Sequence, residues 1–167
     1  MRSALIFVGE HEHIPTDGDE PETPLYNIEM EKRSFELIQN TPSVTRKVLT
    51  GNYQGFLRLK ALIRSEHGLS SAHRNGTFSK GWTFVYMSNK YKWTTAGALS
   101  KTWTLVDIND REIATFSRAI LKLRRIGMLE IHNQQTETLD PDFVALILLT
   151  CKFVHNTIKS HENHATD

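Results

Sequence analysis

With a single cysteine, Cys151, the chain can form no intrachain disulfide, and its stability has to come from packing. The missing disulfide framework favours a reducing compartment. The expected setting is cytoplasmic, with the nucleus or a membrane periphery as the other placements. Long apolar runs are also missing: none approaches the ~20 residues that a helix needs to cross a bilayer, so no transmembrane segment is expected. The short run Ala4 to Val8 is followed by Glu10 and Glu12 with no small-residue cleavage pattern, unlike a signal peptide. Metalloprotease-type spacing is lacking too. His11-Glu12-His13 sets its imidazoles two apart, where a helical zinc site needs them four apart, so neither metal nor cofactor is called for.

What is present fits one globular unit. A chain of 167 residues, 39% of them hydrophobic, can fill the single core that serves ~100 to 200 residues. Net charge is +1, but residues 1–42 carry three basic against nine acidic side chains and residues 43–167 seventeen against ten. Such a split suits an acidic arm shielding a basic surface, or a solvated leader beside an ordinary domain.

Residues 9–24 hold Gly9, Gly18, Pro15, Pro21, Pro24 and six acids around one large apolar residue, Ile14. They bury too little to offset ordering entropy, so 1–24 reads as an N-terminal strand, Ala4 to Val8, followed by an acidic flexible loop. From Leu25 the dominant period is two, the mark of strands with one wet face. Strands are expected at Leu25 to Met30, Thr45 to Thr50, Phe56 to Ala61, Trp82 to Ser88, Tyr91 to Thr95, Lys101 to Ile108, Glu112 to Ala119 and Met128 to Asn133. Between them Gly51-Asn52, Asn75-Gly76, Ser88-Asn89-Lys90, Asn109-Asp110 and Ile126-Gly127 supply hairpin chemistry. An antiparallel meander, sandwich or barrel is the natural result.

The C-terminal part differs. Asp140-Pro141-Asp142 offers an N-cap acceptor, a proline suited to the first helical turn and a second acid at the positive dipole end. The following residues, 143–159, are apolar on every side at first, so a helix there cannot rest on a surface with one face in water. In a β-rich chain it has to be enclosed by sheet. The expected fold is therefore mainly β (α+β), an antiparallel β-barrel over residues 25–160 around a buried C-terminal helix, with 161–167 a flexible tail. The core is expected to hold Trp93, Trp103, Phe116, Leu129, Ile131, Phe143, Leu146, Ile147 and Leu149.

Five blocks, Tyr91-Lys92-Trp93, Thr102 to Asp107, Glu112 to Phe116, Gly127 to Ile131 and Leu146 to Thr150, occur in an order and spacing that resembles the tubby C-terminal-like superfamily. That superfamily includes phospholipid scramblases and LURP-one-related plant proteins, and the chain most resembles an uncharacterised fungal domain family within it. The likeness covers residues 82–155 well and 25–81 weakly. It implies a barrel closed around a hydrophobic helix. It does not carry scrambling over, because Asp107, Asp110 and Glu112 lack the alternating oxygen ligands that calcium needs, and function is not fixed by fold.

Candidate chemistry is sparse. Ser70, Ser71, His67 and His73 lie close in sequence, but nucleophilic catalysis needs a base, an orienting acid and an oxyanion pocket; a polar loop between strands explains them. Cys151 in an apolar helix has its thiolate disfavoured, and Thr150 can return its hydroxyl to a carbonyl one turn earlier. Trp82, Trp93 and Trp103 could stack on bases or lipid, but strand aromatics serve packing first. The cations form the most suggestive set: Arg46, Lys47, Arg58, Lys60 and Arg64, then Lys90, Lys92, Lys101, Arg118, Lys122, Arg124 and Arg125. Residues two apart share a strand face, which pairs Arg58 with Lys60 and Lys90 with Lys92. If neighbouring strands align them, the face attracts anionic membrane lipids or an acidic protein segment, residues 10–22 of the chain included. Otherwise they form a solvated barrel exterior. A non-enzymatic binding domain is the leading reading. A small apolar ligand carrier and an enzyme using His67, Ser71 or His73 are the alternatives, and the signatures of RNA readers are missing. Oligomeric state is open.

Overall fold

The computed structural model describes residues 3–9, 16–17, 25–41, 43–55, 57–97, 100–118, 125–132 and 140–164. Its strands are β1 (Ser3–Gly9), β2 (Thr16–Asp17), β3 (Leu25–Met30), β4 (Ser34–Asn40), β5 (Thr45–Gln54), β6 (Lys60–Ser65), β7 (Gly68–Arg74), β8 (Trp82–Tyr86), β9 (Asn89–Thr95), β10 (Thr102–Val106), β11 (Glu112–Arg118) and β12 (Arg125–His132), followed by helix α1 (Pro141–His164). All twelve pair antiparallel in one sheet, and from β3 to β12 their spatial order is their chain order. The N-terminal strand β1 docks on β12, and β2 pairs with its other side. The acidic loop expected from 9 to 24, with His11-Glu12-His13, falls largely outside the described residues.

The sheet is strongly curved, and the burial of α1 requires it. Residues Ala145 to Cys151 are all buried, and seven successive residues cover every face of a helix with ~3.6 residues per turn. A flat layer shields only one face, so strands have to stand on all sides. The wall comes from inward residues two apart on their strands: Phe35 and Leu37, Ala61 and Ile63, Trp82 and Phe84, Trp103 and Leu105, Ala114 and Phe116, Leu129 and Ile131. The nine side chains expected in the core are all buried.

Two indole pins set the helix against the wall. Trp93 Nε1 donates to Thr150 Oγ1 and Trp82 Nε1 to Thr157 Oγ1, both at 3.0 Å. Positions 150 and 157 are seven apart, two turns on one helix face, and they meet adjacent strands β9 and β8. Each threonine hydroxyl also returns its proton one turn back, to Leu146 O at 2.7 Å and Phe153 O at 2.8 Å. Buried polar groups are thereby satisfied in pairs.

The helix starts as its sequence directs: Asp140 Oδ1 accepts from the Asp142 N–H at 2.9 Å. It runs 24 residues, beyond the 143–159 span expected, because Arg74 bonds to His161 and Arg118 grips Glu162 through two nitrogens at 2.7 and 3.1 Å. Residues 161–164 are therefore helical rather than tail, while 165–167 lie outside the described residues. The whole helix is long and apolar enough to cross a bilayer, which the apolar run alone is not; most of it is enclosed within the protein.

Strands β4 and β7 lie where sequence predicts none. In β7 only Ala72 is fully buried, and Ser70, Ser71 and His73 mute the alternation. Gly51 and Gly127 sit inside β5 and β12 rather than in turns. In each case a Cβ would strike the ring of a neighbouring phenylalanine, Phe35 at 2.6 Å and Phe116 at 2.5 Å. Glycine here marks a close approach, not a bend. The β8–β9 turn lies two residues earlier than expected, with Met87 and Ser88 at φ 46° and 65°.

Candidate functional site

The folded chain divides the expected basic face. Lys47 is paired with Glu36 at 2.8 Å, Arg118 with Glu162 at 2.7 Å, and Arg46 lies 4.0 Å from Glu66. Arg58 is not on a strand beside Lys60; it has φ 51° in the β5–β6 connection and leaves the wall for one end of the barrel. The alternation that pairs them in sequence fails because β6 starts only at Lys60. Lys122, Arg124 and the side chain of Arg125 lie outside the described residues.

What remains is a row built by register. Lys60 of β6 stands opposite His73 of β7, His73 opposite Thr83 of β8, and Thr83 opposite Lys92 of β9. Lys90, two residues before Lys92, points the same way and faces Val85. All four basic side chains are exposed, whereas Thr83 is covered and bonds to Asn75 Oδ1 at 2.5 Å. Among the described residues no carboxylate is ion-paired with Lys60, Lys90 or Lys92. Partial burial, followed by the charges of Lys90 and Lys60, holds His73 below its usual 6.5. His73 is the member of this patch that the sequence does not single out, since its surroundings read as a polar loop; only a strand at 68–74 puts it in line with Lys60.

Beside the wall, the start of β7 separates from β8, and Ser70 Oγ bridges the gap to Val85 O at 2.6 Å. The cleft there measures about 630 Å³ and is lined by Leu49, Leu62, Ile63, Val85, Leu146 and Lys60 among others. Its far end is closed by polar contacts to the helix start: His67 Nδ1 lies 2.5 Å from Asp142 Oδ2, and Tyr86 donates to Asp140 Oδ2 at 2.6 Å. The hydrogen bond and charge of Asp142, then Glu66 and Asp140, raise His67 above its usual 6.5. A histidine raised on folding contributes stability that is complete below its unfolded value and disappears as pH rises through the folded one. His67→Ala is thus expected to lower the melting temperature at about pH 5.5 and to leave it unchanged at about pH 9. Equal losses at both pH values in thermal unfolding would reject the contact as a charged pair.

His67, Ser70 and Ser71 line the cleft together with Asp142, whereas His73 lies outside it. Ser70 faces inward, Ser71 and His73 outward, and His67 is in the β6–β7 turn. Among the described residues neither imidazole is hydrogen-bonded to a serine. Cys151 is buried, and burial pushes its thiol well up from the usual range. No cluster of three metal-ligating side chains occurs among the described residues. The chain matches no protein-family model, no curated protein and no solved structure. The fold and this wall therefore carry the functional reading.

Proposed function

We propose that the chain is a non-enzymatic binding domain of tubby-like shape, whose outer wall engages anionic lipid head groups or an acidic protein segment. The observation that carries it is the uncompensated set Lys60, Lys90 and Lys92 on strands β6 and β9, brought to one face with His73 of β7 and Thr83 of β8 by register. With neighbouring strands ~4.8 Å apart, the row from Lys60 to Lys92 spans roughly 14 Å, the scale of one multiply charged group. Near an anionic bilayer each lysine is worth about 1 kcal/mol. Four strand blocks in order, followed by a fifth on the enclosed C-terminal helix, support the family likeness, and a place at a cytoplasmic membrane periphery goes with it.

The test is vesicle flotation with and without phosphoinositide, comparing the native chain with Lys60→Glu/Lys92→Glu. Salt-sensitive binding is expected to fall roughly tenfold or more, since two charges reverse at ~1 kcal/mol each. Binding that ignores both salt and the substitutions would remove the proposal. A second reading, a carrier of a small apolar ligand, is supported by the largely apolar lining of the 630 Å³ cleft, a size within the ~300 to 1,000 Å³ range of ligand sites.

A further inference from the structure

Because the strands from β3 to β12 alternate direction, their connections emerge at two ends, and the partners of α1 identify which is which. Asp140 and Asp142 bond to Tyr86 and His67, so the helix starts at the end with the β6–β7 and β8–β9 turns. Thr157 and His161 meet Trp82 and Arg74, so it finishes at the end with the β3–β4, β5–β6, β7–β8 and β9–β10 connections. The two ends are charged oppositely. Described connections at the starting end carry Glu66, Asp107, Asp110 and Asp140 against Arg111; those at the finishing end carry Lys32, Arg33, Arg58, Lys80 and Lys101 against Glu31.

The finishing end also exposes two large apolar side chains, Leu57 at 60% and Phe78 at 88%. An exposed leucine alone needs no explanation. A phenylalanine almost wholly in water, in a ring of loops five to one cationic, does. We infer that this end docks on an anionic bilayer, with Leu57 and Phe78 entering the boundary between head groups and acyl chains while the loop cations meet phosphate. Amphipathic surfaces bind membranes through this combination of apolar insertion and attraction to anionic lipid. The starting end exposes Val44 at 56%, Met87 at 72% and Ile108 at 76%, no less apolar surface, but its acids repel the same bilayer, so charge decides the orientation. At the finishing end the negative pole of the helix works against the ring. Lys159 stands there, and Glu162 is held in its ion pair with Arg118.

This inference shares with the proposed function only the anionic partner; its residues lie on loops, not on the wall. The full chain is mixed with vesicles of phosphatidylcholine alone or with added phosphatidylserine. Leu57→Ser/Phe78→Ser is expected to weaken binding to the phosphatidylserine vesicles roughly tenfold or more, while Met87→Ser changes nothing. An environment-sensitive label on Phe78→Cys should shift its emission to the blue only with the anionic vesicles, a readout that does not depend on the double variant folding. Loss of binding in Lys60→Glu/Lys92→Glu with no shift of the label would sink this inference and leave the wall intact; a shifted label with those variants unaffected would do the reverse. Lipid-free association that buries the label, with no response to vesicles, would assign the end to a second copy and overturn the proposal.

Discussion

Phe153→Ala is expected to cost the fold about 3–5 kcal/mol, the range for removing a buried phenylalanine. The side chain is 1% exposed, and three rings from three strands close on it: Phe35 at a centroid distance of 5.0 Å, Tyr53 at 5.2 Å and Trp82 at 4.9 Å. Pairs of this geometry add ~0.5–1.5 kcal/mol each beyond burial, and the alanine leaves a hole that β4, β5 and β8 cannot all move to fill. Tyr53 reports how dry the site is, since burial pushes its phenol well above the usual 10. Set against the ~5–15 kcal/mol that holds a domain together, one substitution removes a large share. Urea denaturation checks it; a loss under ~1 kcal/mol would mean that the helix and wall are not packed as described.

Gly51→Ala is the second large effect, and it acts by overpacking. The added methyl would lie 2.6 Å from two carbons of the Phe35 ring and closer still to the carbonyl oxygen of Leu62. That oxygen belongs to the strand paired with β5, where Asn52 faces Leu62, so it cannot withdraw without parting the ladder. Phe35 is itself 1% exposed and has nowhere to turn. A cost of about 3 kcal/mol or more is expected, at or beyond the upper end for an inserted methyl. Gly97→Ala, whose Cβ would meet nothing within 4 Å, should be close to neutral. If the two variants unfold at the same urea concentration, the close approach of Phe35 to Gly51 is not real.

Legibility in the sequence followed the strength of local signals. The helix was readable from Asp140-Pro141-Asp142 and from the apolar circumference of Phe143 to Val154, because both features are local and few structures can satisfy them. Strands β8 to β11 were readable from alternation between turn residues. β7 was not: with Ala72 as its one fully buried residue, its period of two has almost nothing to alternate with. Gly51 and Gly127 misled for a related reason, since glycine signals a turn and a close approach equally, and only the ring of a residue far along the chain distinguishes them. At the candidate wall, Lys60, Lys90 and Lys92 were named from sequence, but so were Lys47 and Arg118, which carboxylates neutralise. Nothing local in the chain distinguishes a free lysine from a paired one.

The sequence by itself determined that a helix apolar all round has to be enclosed by strands, since no other surroundings in a disulfide-free β-rich chain keep it from water. Tertiary structure alone decided which cations stand together, because cross-strand register joins Lys60 to His73 and Lys92, and a shift of one residue in any pair would turn one of them to the other face. It alone also decided that the barrel has an acidic end and a basic end. That polarity arises when antiparallel strands gather alternate loops on the same side, and a linear chain holds those loops apart.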